Sequence, residues 1–512
     1  MIDGLTRDIL IVGGGTSGWL CAAYMANTLG TVRQGGPRIR LMEASDIPTI
    51  GVGESTIPPI RSVIAGTGID EVDFLRETNA TFKMAIRFDG WRKPVAGCEH
   101  GFFHAFGPHG RIGSEPLAPY WLVSGAYKRT SFVDYSMNNG PAIAAGKAPK
   151  RMSDQPFKGP LDYAYHFDAG LLAELLKKRA TSLDVEHIVA TIDKAEVSGE
   201  EITAVVTADG RRLTADLFVD CTGFSARLIE QALGEPFVSA SDTLFCDRAV
   251  ACQVPYRDPE CPIPPFTRSS ARPNGWIWDV PLMHRRGTGF VYSSAHISDE
   301  DARDHLISYL GDDGAGAEPR LLRFRVGHRD RPWRGNCVAI GLSAGFIEPL
   351  ESTGIYFSDI AIRWLTDFCL DRRQFPTAAK AFNERMQACY ADVLDFIKLH
   401  YVLSDRDDTA FWVDNRAAET VPASLREKLE MWAYRMPSEY EFGQLPAVFG
   451  YSNYVQLLLS LGHHPELVML KARYREVDRA ARIANAIEQV AASGLAALPG
   501  HRDLLSRLAR GA

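Results

Sequence analysis

The sequence predicts an α/β fold whose C-terminal part is a helical layer. Three observations predict it. A β-branched run, Asp8-Ile9-Leu10-Ile11-Val12, leads straight into Gly13-Gly14-Gly15-Thr16-Ser17-Gly18 and a helix-forming stretch. Short apolar runs of strand length then recur as far as Gly341. After Glu351 the pattern turns helical.

Asp8 to Val12 reads as a buried parallel strand. Trp19 to Asn27 follows as a helix, and Arg38 to Glu43 as a second strand ending in a carboxylate. Together they form one βαβ unit of Rossmann-like type. Ile50 to Pro59 is a glycine-punctuated loop, and Asp70 is a candidate N-cap for a helix from about Glu71 to Asn79. Cys98 to Met152, rich in Gly, Pro and aromatic residues, reads as irregular surface and pocket wall. Strand-like runs return at Glu186–Ala190, Glu201–Val206 and Asp216–Asp220, the last running into Cys221-Thr222-Gly223. Asn336–Gly341 is the final strand. A helix begins near Ile355 and reaches toward Leu370. Val477, Ala480, Ile483, Ala484, Ile487 and Val490 recur at helical spacing. Residues 1–360 therefore read as an α/β core with interleaved pocket segments. Residues 361–512 read as a mainly helical layer that packs on the core and closes the pocket.

The 512 residues suffice for a large core, and 46% apolar with 23% charged residues is the composition of a globular enzyme. A net charge of −7 gives no basic face for nucleic acid. No apolar run is long enough to span a bilayer, and the N-terminus lacks a signal-peptide layout, so the expected location is the cytoplasm. Nine cysteines without CxxC or zinc-type spacing read as reduced thiols. His100 and His104 could lie one helical turn apart, but without further ligands no metal is expected.

Gly13, Gly15 and Gly18 fit G-x-G-x-x-G with a strand before and a helix after. Such glycines let the backbone approach a pyrophosphate, and the helix N-terminus offers it free N–H groups. Glu43 is placed to accept from ribose hydroxyls. Only one such fingerprint is visible. Asp220-Cys221-Thr222-Gly223 and Ile340-Gly341-Leu342-Ser343-Ala344-Gly345 read as contacts along an extended cofactor. This favours FAD, with electrons arriving from elsewhere, over a bound nicotinamide.

Glu351-Ser352-Thr353-Gly354 precedes a helix, so the N–H groups of Thr353 and Gly354 form a candidate anion site; an ordinary Ser/Thr N-cap fits the same spacing. Phe82, Met84, Ile86 and Phe88 alternate with Thr81, Lys83, Ala85 and Arg87. The pattern is a strand with Lys83 on its polar face, where a lysine is ordinarily solvated. Trp276 and Trp278 share one face of a strand and form an apolar wall, for which core packing is the simplest use.

Taken together these pieces resemble the flavin-dependent tryptophan halogenase family. Its signatures G-x-G-x-x-G and W-x-W-x-I-P stand here as Gly13 to Gly18 and Trp276-Ile277-Trp278-Asp279-Val280-Pro281, with Val280 for the usual Ile. Ile50-Gly51-Val52-Gly53-Glu54-Ser55-Thr56, Ala80 to Lys83, Phe346 to Gly354, His400-Tyr401 and Phe411-Trp412 match further, in order, over most of the chain. The resemblance implies an FAD-binding core of the flavoprotein monooxygenase type. It implies Lys83 as the essential lysine, Glu351 as the catalytic glutamate, and Thr353 and Gly354 as the halide pair. Gly13, Gly15, Thr16, Ser17, Gly18, Glu43, Ile50, Val52, Ser55, Leu342 and Ile355 fall at cofactor positions. His104, Phe106 and Ser352 fall in the substrate pocket, and Trp276 and Trp278 between flavin and substrate. One departure stands out: Phe449-Gly450-Tyr451-Ser452-Asn453-Tyr454 places Asn453 where tryptophan-specific members carry Trp. It favours an indole-like aromatic without an amino-acid handle.

The implied reaction uses reduced FAD from a separate flavin reductase, dioxygen, and chloride or bromide. Hypohalous acid meets Lys83, as a hydrogen-bond donor or through a haloamine, and Glu351 takes the ring proton. Homodimers are common in such enzymes. Two other readings compete: an aromatic hydroxylase of the same fold that binds NAD(P)H itself, and a non-catalytic flavin-binding protein. The joint presence of Lys83, the tryptophan pair and the Glu351 segment speaks against the second.

Overall fold

A computed structural model describes residues 4–45, 53–94, 100–442 and 447–510. By contact the chain divides into two compact units, each assembled from three separated stretches. The first comprises Met1–Ala80, Phe167–Ser241 and Phe324–Tyr390, the second Thr81–His166, Asp242–Arg323 and Ala391–Ala512.

In the first unit, Asp8–Val12 lies between Arg38–Glu43 and Leu217–Asp220, all parallel. Glu186–Val189 and Cys337–Ala339 extend this sheet in parallel on either side, and Trp333–Arg334 closes one edge antiparallel. Ile9, Leu10 and Ile11 are wholly buried, as a parallel strand covered on both faces requires. The helices Thr16–Leu29 and Ala169–Ser182 pack on one another, and Gly354–Phe368 packs against the first of them. The helix at Asp70 begins as predicted, with the Asp70 carboxylate accepting from Val72 N at 2.7 Å, and runs Glu71–Glu77. Glu201–Thr207 does not join the parallel sheet; it sits in a separate antiparallel sheet with Ile192–Ser198 and Arg212–Leu213.

The second unit is built on a seven-stranded sheet. Its order is Arg320–Arg323, Arg248–Pro255, Arg285–Tyr292, Gly275–Pro281, Phe266–Arg272, Ala85–Asp89 and Gly101–Ala105. Only the pairing of Phe266–Arg272 with Ala85–Asp89 is parallel. Cys98 to Met152 is not the irregular wall its composition suggests. From Gly101 on it holds the last strand of this sheet and the helices Ala118–Val123, Phe132–Ser136 and Gly140–Ala144. Helices of five or six residues are too short to register a 3.6-residue period. Their Tyr120, Trp121 and Phe132 form a core with Val455 and Leu459 of helix Tyr451–Ser460 and with Ala480 and Ala484 of helix Val477–Ala497. His100 and His104 are not on a helix: His104 lies within a strand, and His100 just before it.

The strand predicted from Thr81 to Phe88 breaks at Met84 into Thr81–Lys83 and Ala85–Asp89. Thr81–Lys83 pairs antiparallel in the register Thr81↔His166, Phe82↔Tyr165 and Lys83↔Ala164. No strand follows Phe346 among the described residues, and none of their helices is long and apolar enough to cross a membrane.

Candidate active site

In the first unit the glycine turn is shaped by close approach. Gly13 has φ +113°, and a Cβ there would overlap Cys221 O; one at Gly18 would overlap Gly13 O. A Cβ at Gly14 would collide with Glu43 Oε2, whereas Gly15 faces open space. The helix starts at Thr16 with Gly15 as N-cap and no side-chain cap, so its first amides remain available to an anion. Glu43, expected on a ribose, is also engaged within the unit. Trp19 Nε1 donates to its Oε2 at 3.3 Å, while Lys177 Nζ and His187 Nε2 lie 3.1 and 2.8 Å from its Oε1. Ile50 and Val52 lie outside the described residues. Asp220, fully buried, accepts from the amides of Thr222, Leu228 and Ile229, and so sets the turn whose Cys221 carbonyl meets Gly13.

Leu342 lies in the single turn Gly341–Ser343 after the last parallel strand. A Cβ at Gly341 would press on Ser17 Oγ, and Ser17 Oγ lies 2.9 Å from Ser358 Oγ. The unit thus brings together the glycine fingerprint, the Leu342 turn and the helix that starts at Gly354. Glu351 is 1% exposed and ends the turn Pro349–Glu351. Ser352 follows at φ +62°, a left-handed conformation costing a non-glycine residue about 1–3 kcal/mol, and its hydroxyl donates to Ser55 Oγ at 3.0 Å.

Thr353 departs from the ordinary N-cap reading of this segment. It is the N-cap of Gly354–Phe368, yet its side chain makes no capping bond, and its buried Oγ1 has no hydrogen-bond partner among the described residues. An ordinary N-cap would satisfy an amide of the next turn. The first bond of the helix runs from Phe357 N to Thr353 O at 3.1 Å. Among the described residues nothing lies within 4 Å of a Cβ built on Gly354. A buried hydroxyl and uncommitted amides at a positive helix end suit a small anion.

In the second unit Lys83 is wholly buried, contrary to the solvated position its alternation suggests. Its Nζ stands 5.2 Å from the ring centroid of Phe106. Phe106 N donates to Met84 O at 2.9 Å, and Asn139 Nδ2 to Phe106 O at 2.6 Å, which fixes the ring's backbone beside the lysine strand. His104 is 1% exposed, and Asn453 Nδ2 lies 3.1 Å from its Nε2. Asn453 Oδ1 accepts from Gly450 N at 3.0 Å.

Trp276 and Trp278 stand on one sheet face with ring centroids 6.4 Å apart at 60°. Paired residues share a face, and the register runs Gly289–Trp278–Ser269–Phe88–Phe102 across the sheet. His104, two residues past Phe102, shares that face, three strands from the tryptophans and so ~14 Å along the sheet. Gly289 makes room for the wall, since a Cβ there would strike the Trp278 ring.

Three comparisons bear on this arrangement. The tryptophan halogenase family matches residues 8–475. The chain is 37% identical to tryptophan 7-halogenase KtzQ of Kutzneria sp. (strain 744), over 100% of both chains. Among solved structures, a tryptophan halogenase from Shewanella frigidimarina NCIMB 400 superposes with TM-score 0.94 at 34% identity, covering 99% of this chain and 98% of that one. BrvH, a flavin-dependent halogenase from Brevundimonas sp. BAL3, gives 0.85 at 35% identity, with 98% and 100% covered. The chain belongs to the tryptophan halogenase family.

The family's enzymes are flavin-dependent, and this halogenase's own residues fit an FAD: glycines that admit no side chain, open space at Gly15, and a helix start left uncapped. Sequence reasoning passed over three buried polar residues near the ones it singled out. Glu348, beside Pro349, is completely buried. His166 and His501 are completely and almost completely buried, and both contact the Lys83 strand. Tyr163-Ala164-Tyr165-His166-Phe167 carries a strand pattern that could have drawn attention to His166.

Proposed function

We propose that the protein halogenates an electron-rich aromatic of the indole type, using chloride or bromide, dioxygen, and reduced FAD delivered by a separate flavin reductase. The observation that carries this reading is the buried Lys83 amine set over the face of Phe106. A lysine loses solvation there, and a role in chemistry accounts for its placement.

Bound reduced FAD, with dioxygen, supplies the oxidising equivalent that converts halide to hypohalous acid. Thr353 and Gly354 hold the halide, the one through its unpaired hydroxyl and the other through its amide at the helix end. Lys83 receives the hypohalous acid. The Lys83 amine sits beside the Phe106 ring, and as an ammonium it donates a hydrogen bond to the oxygen and polarises the O–X bond. The alternative is a neutral amine that forms N–X and releases water. The aromatic carbon then attacks the halogen as the O–X bond breaks, the departing hydroxide takes a proton from the ammonium and leaves as water, and the Glu351 carboxylate takes the proton from that carbon. Trp276 and Trp278 wall the sheet face that carries His104, keeping aromatic substrate and oxidant apart until Lys83 presents the halogen.

Asn453 supports a substrate without an amino-acid handle, because both ends of its amide are spent on His104 and Gly450. Mass spectrometry of reactions containing a flavin reductase, halide, and either indole or tryptophan tests the proposal. Halogenated indole at least equal to halogenated tryptophan is expected. Halogenated tryptophan in large excess overturns the substrate class, and hydroxylated product without halogen overturns the reaction. Covalent N–X on Lys83, detected in quenched protein, overturns the ammonium route.

A further inference from the structure

The strand that carries Lys83 is only three residues long, and two buried histidines hold it. Thr81 Oγ1 lies 2.6 Å from Pro281 O and 3.0 Å from His166 Nδ1. A carbonyl only accepts, so the threonine proton points to Pro281, and His166 must donate from Nδ1–H to Thr81. A neutral His166 then has a bare Nε2, which accepts from the Thr267 hydroxyl at 2.9 Å. Thr267 lies on the sheet face that carries His104 and the tryptophan pair, and Pro281 ends the tryptophan motif.

The other histidine acts on the backbone. Phe82 N, directed away from the pairing with Tyr165, donates to His501 Nε2 at 3.0 Å. His501 opens the helix His501–Arg510, and its Nδ1 donates to Ile263 O at 2.9 Å. The imidazole thus replaces the neighbouring strand this edge lacks, and without it a buried amide would go unpaired. Both rings carry their proton on Nδ1. Protonating His501 would set an N–H against the Phe82 N–H. Burial drives its pKa down to about 4, and burial, followed by the charge of Lys83, drives that of His166 well below the usual histidine range.

We propose that His166 and His501 are positioning residues for halogen transfer: as neutral imidazoles they clamp, through its side chain and its backbone, the short strand that presents Lys83. The inference rests on the assignment of Lys83 as the residue that receives the halogen. Misplacement of a reacting group by 1 Å costs on the order of 10²-fold in rate.

The test compares H166L, H501L, H166N, H501Q and K83A in the full-length FAD-loaded enzyme, supplied with a flavin reductase, bromide and indole. Asparagine retains a donor at the Nδ1 position of His166, and glutamine retains an acceptor at the Nε2 position of His501. The leucine variants should lose about 10–100-fold in kcat. FAD affinity and indole KM should stay unchanged, and the share of oxidised bromine caught by a dimedone trap should rise. H166N and H501Q should recover most of the loss. The clamp is overturned if the leucine variants keep wild-type kcat, if the conservative variants fall as far, or if kcat falls only in step with FAD binding. K83A separates the two levels: halogenation surviving in K83A defeats the Lys83 assignment, whereas its loss in K83A alone defeats only the clamp.

Discussion

Ser17 Oγ and Ser358 Oγ lie 2.9 Å apart, joining the glycine fingerprint to the helix whose N-terminal end carries Thr353 and Gly354. The glycine turn and the start of this helix are therefore mechanically one piece. Losing one hydrogen bond of this kind costs about 0.5–1.5 kcal/mol. S358A should weaken FAD binding and raise the halide KM together, each by about 2–10-fold. Fluorescence titration of FAD and a bromide saturation curve measure the two. A change in FAD binding alone would mean the two sites are not coupled through this pair.

Thr353 bears a buried hydroxyl without a partner, which destabilises the fold by about 1–3 kcal/mol unless a ligand uses it. T353V keeps the shape and removes the hydroxyl. Its melting temperature should hold or rise while the halide KM increases about tenfold, a loss of ~1.4 kcal/mol in halide binding. An unchanged halide KM would remove Thr353 from the halide site.

Gly289 faces the Trp278 ring, and any side chain there must displace it. G289A should destabilise the protein by about 1–3 kcal/mol, as overpacking of a filled site does. Urea unfolding followed by tryptophan fluorescence measures both the stability and the altered Trp278 environment. Wild-type stability in G289A would show that the wall does not pack on this strand.

His501 contributes a pH-dependent term with a definite sign. Its folded pKa, about 4, lies below the ordinary value of 6.5 taken for the unfolded chain. Between these values the unfolded state binds the extra proton, so stability is full above pH 6.5 and is lost as pH falls toward 4. From pH 7 to pH 5 the wild type should lose about 2 kcal/mol more than H501Q, a comparison that cancels every other titrating group. Equal losses in the two proteins would mean that this imidazole is not held neutral.

Much of this was legible in the chain itself. Strand, glycines, helix and terminal carboxylate specify the first parallel unit because each is a local signal, and Trp276 and Trp278 share a face by the two-residue period of any strand. The burial of Lys83 was not legible, since alternation separates two faces without saying what covers them. The histidine clamp was hidden for a related reason: His166 lies 85 residues from Thr81 and 101 from Thr267, and His501 lies 419 from Phe82. Only the folded chain brings those donors and acceptors together. The orphaned Thr353 hydroxyl was equally invisible, because an N-cap that bonds its helix and one that does not have the same sequence.

In the proposed reaction Lys83 delivers the halogen and Glu351 removes the proton. Product formation by wild type, K83A and E351Q, each with a flavin reductase, bromide and indole, measures it most directly. K83A should form no bromoindole while still oxidising reduced FAD, and E351Q should retain turnover slowed by ~10²–10⁴-fold, as loss of a general base does. Substantial bromoindole from K83A would contradict the account.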